Sequence, residues 1–175
     1  MTYVVASVVL IGAISLINLS LTAAVIRRLR QDQSAPVNSA PVSGLAVGSS
    51  LPDLTTTALD GAEVSVARVG QEQAVFAFIS TGCSACGPSI PHFIEYVRSQ
   101  SLRQSQAIAV IAGERENATH FIEQLGGIAT TVLDSKEGDF ARSFAVFAFP
   151  TFIASDSAGR VIASGAGAAS LPRER

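Results

Sequence analysis

Only two cysteines occur in the 175 residues, and they lie three positions apart as Cys83-Ser84-Ala85-Cys86. Two cysteines cannot form the set of disulfides that holds a small secreted fold together. Any role that they have must therefore come from their reactivity or from metal binding. Free N–H groups and the helix dipole favour a thiolate at the N-terminus of a helix. Helical periodicity follows the pair directly. We therefore predict that Cys83 is the nucleophile and that Cys86, one helical turn later, resolves a mixed disulfide.

Other uses of a Cys-X-X-Cys pair need partners that the sequence must supply. A structural zinc site takes four ligands, yet there is no second cysteine pair, and the only histidines, His92 and His120, are far apart. We therefore expect no bound metal. The cysteines could also be small core residues without reactivity. Their position between a buried strand and an amphipathic helix instead favours a redox role.

The residues around the pair alternate between strand-like and helix-like patterns. The run 74–80 is continuously apolar, as in a strand buried on both faces, and 107–112 repeats that pattern. Apolar residues recur at helical spacing after the cysteines, at Ile90, Phe93, Ile94 and Val97. Other predicted elements are strands over 54–57, 63–66, 130–133, 151–155 and 160–163, and helices over 114–125 and from about 138. This order predicts an α/β sandwich around a mixed sheet.

The N-terminal segment has a different character. Residues 4–26 carry no charge, and a helix rising about 1.5 Å per residue would let them cross the roughly 30 Å bilayer core. No Lys or Arg precedes the segment, and Arg27, Arg28 and Arg30 follow it, which favours an uncleaved anchor over a signal peptide. The predicted parts are an anchor with its basic flank (1–30), a flexible Ser/Pro-rich tether (31–50), a folded domain (51–168) and a tail (169–175).

Composition narrows the choice of partner. Hydrophobic residues make up 48% of the chain and charged residues 15%, which is apolar for a soluble domain and agrees with a membrane segment. We expect the lipid bilayer to contact residues 4–26. The net charge is −2, and no basic stripe occurs outside residues 27–30. Nucleic acid is therefore excluded as an expected partner.

Four further features follow one another along the chain. They are Leu51-Pro52-Asp53-Leu54 with Leu59-Asp60-Gly61, the cysteine pair with Pro91 five residues beyond it, Phe149-Pro150-Thr151-Phe152, and Asp156 with Gly159. Together, from about residue 48 to 165, they resemble the thioredoxin-like superfamily in its membrane-anchored TlpA and MauD branch of thiol–disulfide oxidoreductases, the redoxins.

The resemblance implies a thioredoxin-like three-layer sandwich with a central mixed β-sheet, preceded by one transmembrane helix. The Phe149–Pro150 bond would be cis. The implied substrate groove consists of Phe149, Pro150 and Thr151, and the implied active-site helix includes Ser84, Ala85 and Pro91. The implied activity is exchange of disulfides with protein thiols and with a membrane redox partner, in the maturation of a client protein. The disulfide Cys83–Cys86 would replace any cofactor.

The chain also departs from the family pattern. Gly82 stands where many relatives have Trp, and the strand 74–80 has no acid to supply the buried carboxylate of thioredoxins. Ser84-Ala85 matches neither the Gly-Pro of reducing thioredoxins nor the Pro-His of strongly oxidising relatives. The chain continues after Ala168 without a predicted final helix. These departures leave the direction of electron transfer unassigned.

Two other functions fit the same predicted fold. A peroxiredoxin-like thiol peroxidase would have Thr three residues and Pro seven residues before its reactive cysteine, whereas this chain has Ser80 and Phe76. A non-catalytic binding domain would not need the intact cysteine pair or Pro150. Both alternatives are therefore weaker than disulfide exchange.

The sequence gives two opposing predictions for the side of the membrane on which the domain lies. The arginines after the anchor place the domain in the cytoplasm by the positive-inside rule, although that rule applies mainly to short loops. Members of the family that the chain resembles act outside the cell membrane, where disulfides persist. On the resemblance, we expect a single-pass membrane protein with an extracytoplasmic domain.

Overall fold

The computed structural model describes Gly12, Ser15, residues 43–135 and residues 138–172. No helix within these residues is both long and apolar enough to cross a membrane. Apart from Gly12 and Ser15, the anchor predicted over 4–26 lies outside the described residues, as do its basic flank and the first part of the tether.

The described elements alternate between strands and helices. The strands are β1 Thr55–Thr57, β2 Glu63–Ser65, β3 Ala74–Ser80, β4 Ala107–Ala112, β5 Thr130–Asp134, β6 Thr151–Ser155 and β7 Val161–Ala166. The α-helices are α1 Val66–Val69, α2 Cys86–Ser99, α3 Arg115–Leu125 and α4 Asp139–Ser143. Short 3₁₀ turns lie at Gln104–Gln106 and Ala168–Ser170.

In this part of the chain, the main sheet has the order β5-β4-β3-β6-β7, and β1 and β2 form a separate hairpin. The β3–β4 and β4–β5 pairs are parallel, whereas β6 runs antiparallel to both β3 and β7. Every residue of β3 is buried because helices cover both of its faces. Helices α2 and α3 pack on one face, and α1 and α4 pack on the other. The predicted three-layer sandwich with a mixed sheet is confirmed.

Most element bounds agree with the sequence patterns. The strands predicted over 74–80, 107–112 and 151–155 have those bounds. The strand predicted over 63–66 instead ends at Ser65, whose hydroxyl accepts a hydrogen bond from the Arg68 N–H at 3.4 Å and caps helix α1. Arg160, expected in the last strand, lies just before β7, where it forms an isolated antiparallel bridge with Ser50 and its N–H donates to the Asp156 carboxylate.

The folded unit extends beyond the predicted 51–168 at both ends. Contacts group residues 43–135 and 138–172 in one unit. Near its start, the Gly48 N–H donates to the Val161 carbonyl at 2.8 Å, and the Val161 N–H donates to the Ser49 carbonyl at 2.9 Å. Near its end, Leu171 of the predicted tail is buried in the core on the α2 side of the sheet. Residues 43–50 therefore belong to the domain rather than to a free tether.

A cluster of four phenylalanines fills the core on the α4 side of the sheet. Phe144, which is fully buried, has its ring centroid 4.9 Å from that of Phe76, 5.1 Å from that of Phe78 and 5.2 Å from that of Phe140. Because Phe144 follows α4 directly, these ring contacts hold the end of that helix against β3. Aromatic pairs at such distances add about 0.5–1.5 kcal/mol beyond the area they bury.

We expect Phe144→Ala to lower the free energy of unfolding by about 3–5 kcal/mol, because it leaves a cavity and removes three ring contacts. Chemical denaturation of the reduced protein measures this change. Phe147→Ala is the matched control, since that residue is 58% exposed, and its effect should stay within about 0.5 kcal/mol. Equal effects of the two substitutions would contradict the described packing.

Candidate active site

A tight turn after β3 carries the first cysteine. The Cys83 N–H donates to the Ser80 carbonyl at 3.1 Å, and the Cys86 N–H donates to the Cys83 carbonyl at 3.2 Å. Helix α2 begins at Cys86, after Ala85 as its N-cap residue. Cys83 was expected at the helix N-terminus, but it lies in the turn before the helix because its N–H is still bonded to the end of β3. Cys86 is the first helical residue.

The two sulfurs differ in their access to solvent. Both cysteines are free thiols, and Cys83 is half-buried whereas Cys86 is fully buried. The Cys86 sulfur accepts a hydrogen bond from the Ser80 N–H at 3.5 Å. A substrate in solution can therefore reach Cys83 but not Cys86. This difference agrees with the predicted roles of nucleophile and resolving thiol.

Burial also controls the ionisation of the inner thiol. Burial, followed by a hydrogen bond with the Cys83 side chain, raises the pKa of Cys86 to about 12. The Ser80 N–H opposes this change only in part, because it stabilises the thiolate. At neutral pH the Cys86 side chain is therefore a neutral thiol.

The loop before β6 reaches the outer sulfur. The Phe149–Pro150 peptide bond is cis, which confirms that prediction. The Cys83 thiol donates a hydrogen bond to the Phe149 carbonyl at 3.3 Å, across 66 positions of sequence. A backbone acceptor and the accessible sulfur therefore lie side by side.

The three residues expected to line a groove differ in exposure. Phe149 is half-buried, whereas Pro150 and Thr151 are buried. The Thr151 hydroxyl lies 2.7 Å from the Ala148 carbonyl oxygen and 2.9 Å from the Ser43 hydroxyl. Phe149 is thus the accessible residue beside the Cys83 sulfur. The buried side chain of Thr151 stabilises the loop through its contact with the Ala148 carbonyl.

The other residues singled out in the sequence lie at the surface. Ser84 and Ala85 are exposed in the turn, and Pro91 is exposed on α2. The imidazole of His92 is 4.0 Å from the Glu95 carboxylate, with most of both side chains exposed. His120 interacts with Gln124 on α3. None of these contacts links either imidazole to a sulfur.

Ser43 is a site residue that sequence reasoning missed. Its hydroxyl accepts hydrogen bonds from the Phe147 N–H at 3.1 Å and the Ala148 N–H at 3.0 Å. A serine in a Ser/Pro-rich stretch carries no periodicity or motif that would indicate such a contact. Only the close approach of the two segments in the fold brings it to the active-site loop.

The raised pKa of Cys86 predicts a loss of stability at alkaline pH. Between the ordinary thiol value of 9.0 and about 12, the unfolded chain loses this proton while the folded chain keeps it. Stability therefore falls as pH rises through this window. We expect the stability of the reduced protein relative to Cys86→Ala to decline by about 1.4 kcal/mol per pH unit there. A difference that stays constant from pH 8 to 12, measured by denaturant unfolding, would contradict this account.

Comparison with solved structures gives the same fold. The thioredoxin domain of a thiol-disulfide oxidoreductase from Bacteroides vulgatus is 24% identical, with a TM-score of 0.59, over 70% of this chain and 90% of that one. A thiol:disulfide interchange protein from Bacteroides sp. is 26% identical, with a TM-score of 0.56, over 69% and 81%. A secreted disulfide oxidoreductase of Mycobacterium tuberculosis, homologous to E. coli DsbE, is 18% identical, with a TM-score of 0.54, over 62% and 80%.

Comparison with curated proteins gives no significant match, whereas comparison with family models assigns the chain to a family. The Redoxin family model matches residues 46–174. That match covers most of the chain and includes both cysteines, the cis-proline loop and Leu171. The chain belongs to the redoxin family.

Proposed function

We propose that this chain is a membrane-tethered thiol–disulfide oxidoreductase of the TlpA and MauD type, which exchanges disulfides with protein substrates through Cys83 and Cys86. The observation that carries the proposal is the pairing of one accessible sulfur with one buried sulfur. The Cys83 thiol is half-buried beside the Phe149 carbonyl, and the Cys86 thiol is fully buried and hydrogen-bonded to Cys83. This arrangement suits two successive displacement steps.

In the first step, the Cys83 thiolate attacks one sulfur of a substrate disulfide. A bond forms between Cys83 and that sulfur, and the other substrate sulfur leaves as a thiolate that takes up a proton. In the second step, Cys86 loses its proton and attacks the Cys83 sulfur, which releases the remaining substrate thiol. The substrate gains two electrons, and the pair becomes the disulfide Cys83–Cys86. The reverse sequence oxidises a substrate dithiol.

Burial separates the two roles in this scheme. A substrate disulfide must approach Cys83, because Cys86 has no surface in contact with solvent. Once the mixed disulfide has formed, Cys86 is the thiol already next to the bond that must break. Burial, the largest cause of the raised pKa of Cys86, disfavours its thiolate, so the second step needs removal of a tightly held proton.

Protein thiols are the substrate class that this surface suits. Phe147, which is 58% exposed, lies two residues before the half-buried Phe149. A peptide segment that carries a cysteine could contact this loop while its sulfur meets Cys83. The resemblance to MauD-like chains supports a role in maturing one client protein, with a membrane redox partner restoring the pair.

We expect Cys86→Ala to accumulate mixed disulfides with protein substrates, because the first step remains possible and the resolving thiol is gone. Cys83→Ala is the matched control and should trap none, since its remaining thiol is buried. Non-reducing electrophoresis followed by mass spectrometry of the linked peptides measures both outcomes.

Three results would argue against the proposed exchange. Trapping by Cys83→Ala rather than Cys86→Ala would reverse the two roles. Rapid oxidation of Cys83 by hydrogen peroxide, without any captured protein disulfide, would favour a thiol peroxidase. Failure of the wild-type pair to react with either oxidant would favour a binding domain.

The membrane part of the proposal rests on the sequence. The uncharged run 4–26 supports an anchor, and the family resemblance supports an extracytoplasmic domain, against the three arginines that follow the anchor. A domain of this length can be translocated despite such a charge bias, because the positive-inside rule acts mainly on short loops.

Reporter fusions after Arg175 test the orientation. If the domain is outside, alkaline phosphatase fused there should be active, because its disulfides form in an oxidising compartment. A fluorescent protein at the same position should stay dark. A bright fluorescent fusion with an inactive phosphatase would place the domain in the cytoplasm and overturn this part of the proposal.

A further inference from the structure

The loop that reaches Cys83 is held by the first described residues of the domain. Ser43 lies 104 positions before Phe147, and its hydroxyl accepts hydrogen bonds from the N–H groups of Phe147 and Ala148. The same hydroxyl lies 2.9 Å from the Thr151 hydroxyl and 3.2 Å from the Ala148 carbonyl oxygen. One serine side chain therefore contacts the loop on both sides of Phe149.

The hydrogen-bonding capacity of Ser43 matches these contacts. A serine hydroxyl has one proton to donate and two lone pairs that accept. The two amides fill both acceptor positions, and the hydroxyl proton is donated to the Ala148 carbonyl. Alanine at this position would leave both amides without this acceptor.

Gly44 continues the same contact. Its N–H donates to the Ala145 carbonyl at 2.9 Å, and its backbone has a φ of 106°. A Cβ atom there would lie 2.4 Å from the Ser164 hydroxyl oxygen and 3.1 Å from a methyl carbon of Thr151. Only glycine allows so close an approach at this φ. Residues 43 and 44 together therefore hold the loop from Ala145 to Ala148.

This loop leads directly to the active sulfur. Ala148 is bonded to the residue whose carbonyl accepts the hydrogen bond from Cys83 at 3.3 Å. Thr151 opens β6 and is fixed by its pairing with Phe78 of β3. One end of the 148–151 segment is thus held by the sheet, and the other end is held by Ser43. Without the Ser43 hydroxyl, the N–H groups on either side of the Phe147–Ala148 bond would lose the acceptor that fixes this end of the segment.

We propose that Ser43 is a positioning residue for disulfide exchange at Cys83, because its hydroxyl holds the Phe149 backbone where a protein substrate meets the sulfur. The proposal rests on the proposed oxidoreductase function and adds to it a residue outside the Cys-X-X-Cys motif. Ser43 touches neither sulfur, so its effect passes through the loop. The effect should therefore be larger for a substrate that contacts the loop than for one that needs only the sulfur.

Three variants of the full chain test this role. Ser43→Ala removes the hydroxyl, and Ser43→Thr restores it. Ser49→Ala is the matched control, because the Ser49 hydroxyl donates only to the nearby Ala46 carbonyl, at 2.6 Å, in the same segment. Each variant is assayed for reduction of insulin disulfides and of a small aromatic disulfide, with dithiothreitol to regenerate the thiol pair and its direct reaction subtracted. Melting temperatures are measured alongside.

For Ser43→Ala, we expect kcat/KM on insulin to fall roughly tenfold or more, mainly through KM, because displaced binding groups lose productive orientation. The rate with the small disulfide should stay within about twofold of the wild-type rate, since that substrate does not need the loop. Ser43→Thr should recover most of the insulin activity, and Ser49→Ala should match the wild type on both substrates.

Each other outcome overturns the proposal in a distinguishable way. If Ser43→Ala matches Ser49→Ala on both substrates, Ser43 has no positioning role, although the proposed function stands. If Ser43→Ala slows both substrates equally and lowers the melting temperature, its role is stability alone. If the wild type neither reduces these disulfides nor, as the Cys83–Cys86 disulfide, oxidises reduced insulin, the proposed function fails and the role of Ser43 fails with it.

Discussion

The antiparallel pairing of β6 with β3 is the constraint on which the site depends. Phe78, near the C-terminal end of β3, lies opposite Thr151, the first residue of β6. The residues just before β6 must therefore lie beside the residues just after β3. In a parallel arrangement, Phe149 would lie at the other end of β3, roughly 20 Å from Cys83 at about 3.3 Å per residue. The contact between sulfur and carbonyl thus follows from strand direction and register.

The same central strand explains why the two thiols differ. β3 is buried on both faces, and the Ser80 N–H at its end points to the Cys86 sulfur. This sulfur lies in the core next to apolar residues, whereas the turn carries Cys83 outward. Burial raises the pKa of Cys86, and no carboxylate contributes to that change. Within the described residues, the ionisation of Cys86 is therefore governed by how deeply its sulfur is buried.

The N-terminal segment of the domain adds a second support to the site. Backbone hydrogen bonds join residues 48 and 49 to Val161 at the edge strand β7, and the side chain of Ser43 reaches the loop before β6. These contacts tie the beginning of the domain to its last strands. A segment whose composition indicates a free linker is thereby part of the folded domain, and Ser43 is its contact with the active-site loop.

Local patterns in the sequence determined much of this protein. Continuous apolar runs identified β3 and β4, because a strand buried on both faces needs no polar residues. Helical spacing identified the faces of α2 and α3, and the position of the Cys-X-X-Cys pair between a strand and a helix indicated its redox role. These features depend on residues close together in the chain, so a short window of sequence suffices to recognise them. The cis bond at Pro150 was indicated instead by the family resemblance, which spans residues 48 to 165.

Only the tertiary structure decided the contacts between distant segments. The start of α2 at Cys86 depends on the hydrogen bond between the Cys83 N–H and the end of β3. The cap at Ser65 makes Val66, predicted as a strand residue, the first residue of α1. The contact of Ser43 with a loop 104 positions away leaves no local pattern, because a single hydroxyl can bond to any amide that the fold brings near it. The burial of each sulfur likewise depends on the residues that pack around it. Because both residues are cysteines, the sequence does not reveal which of the two is buried.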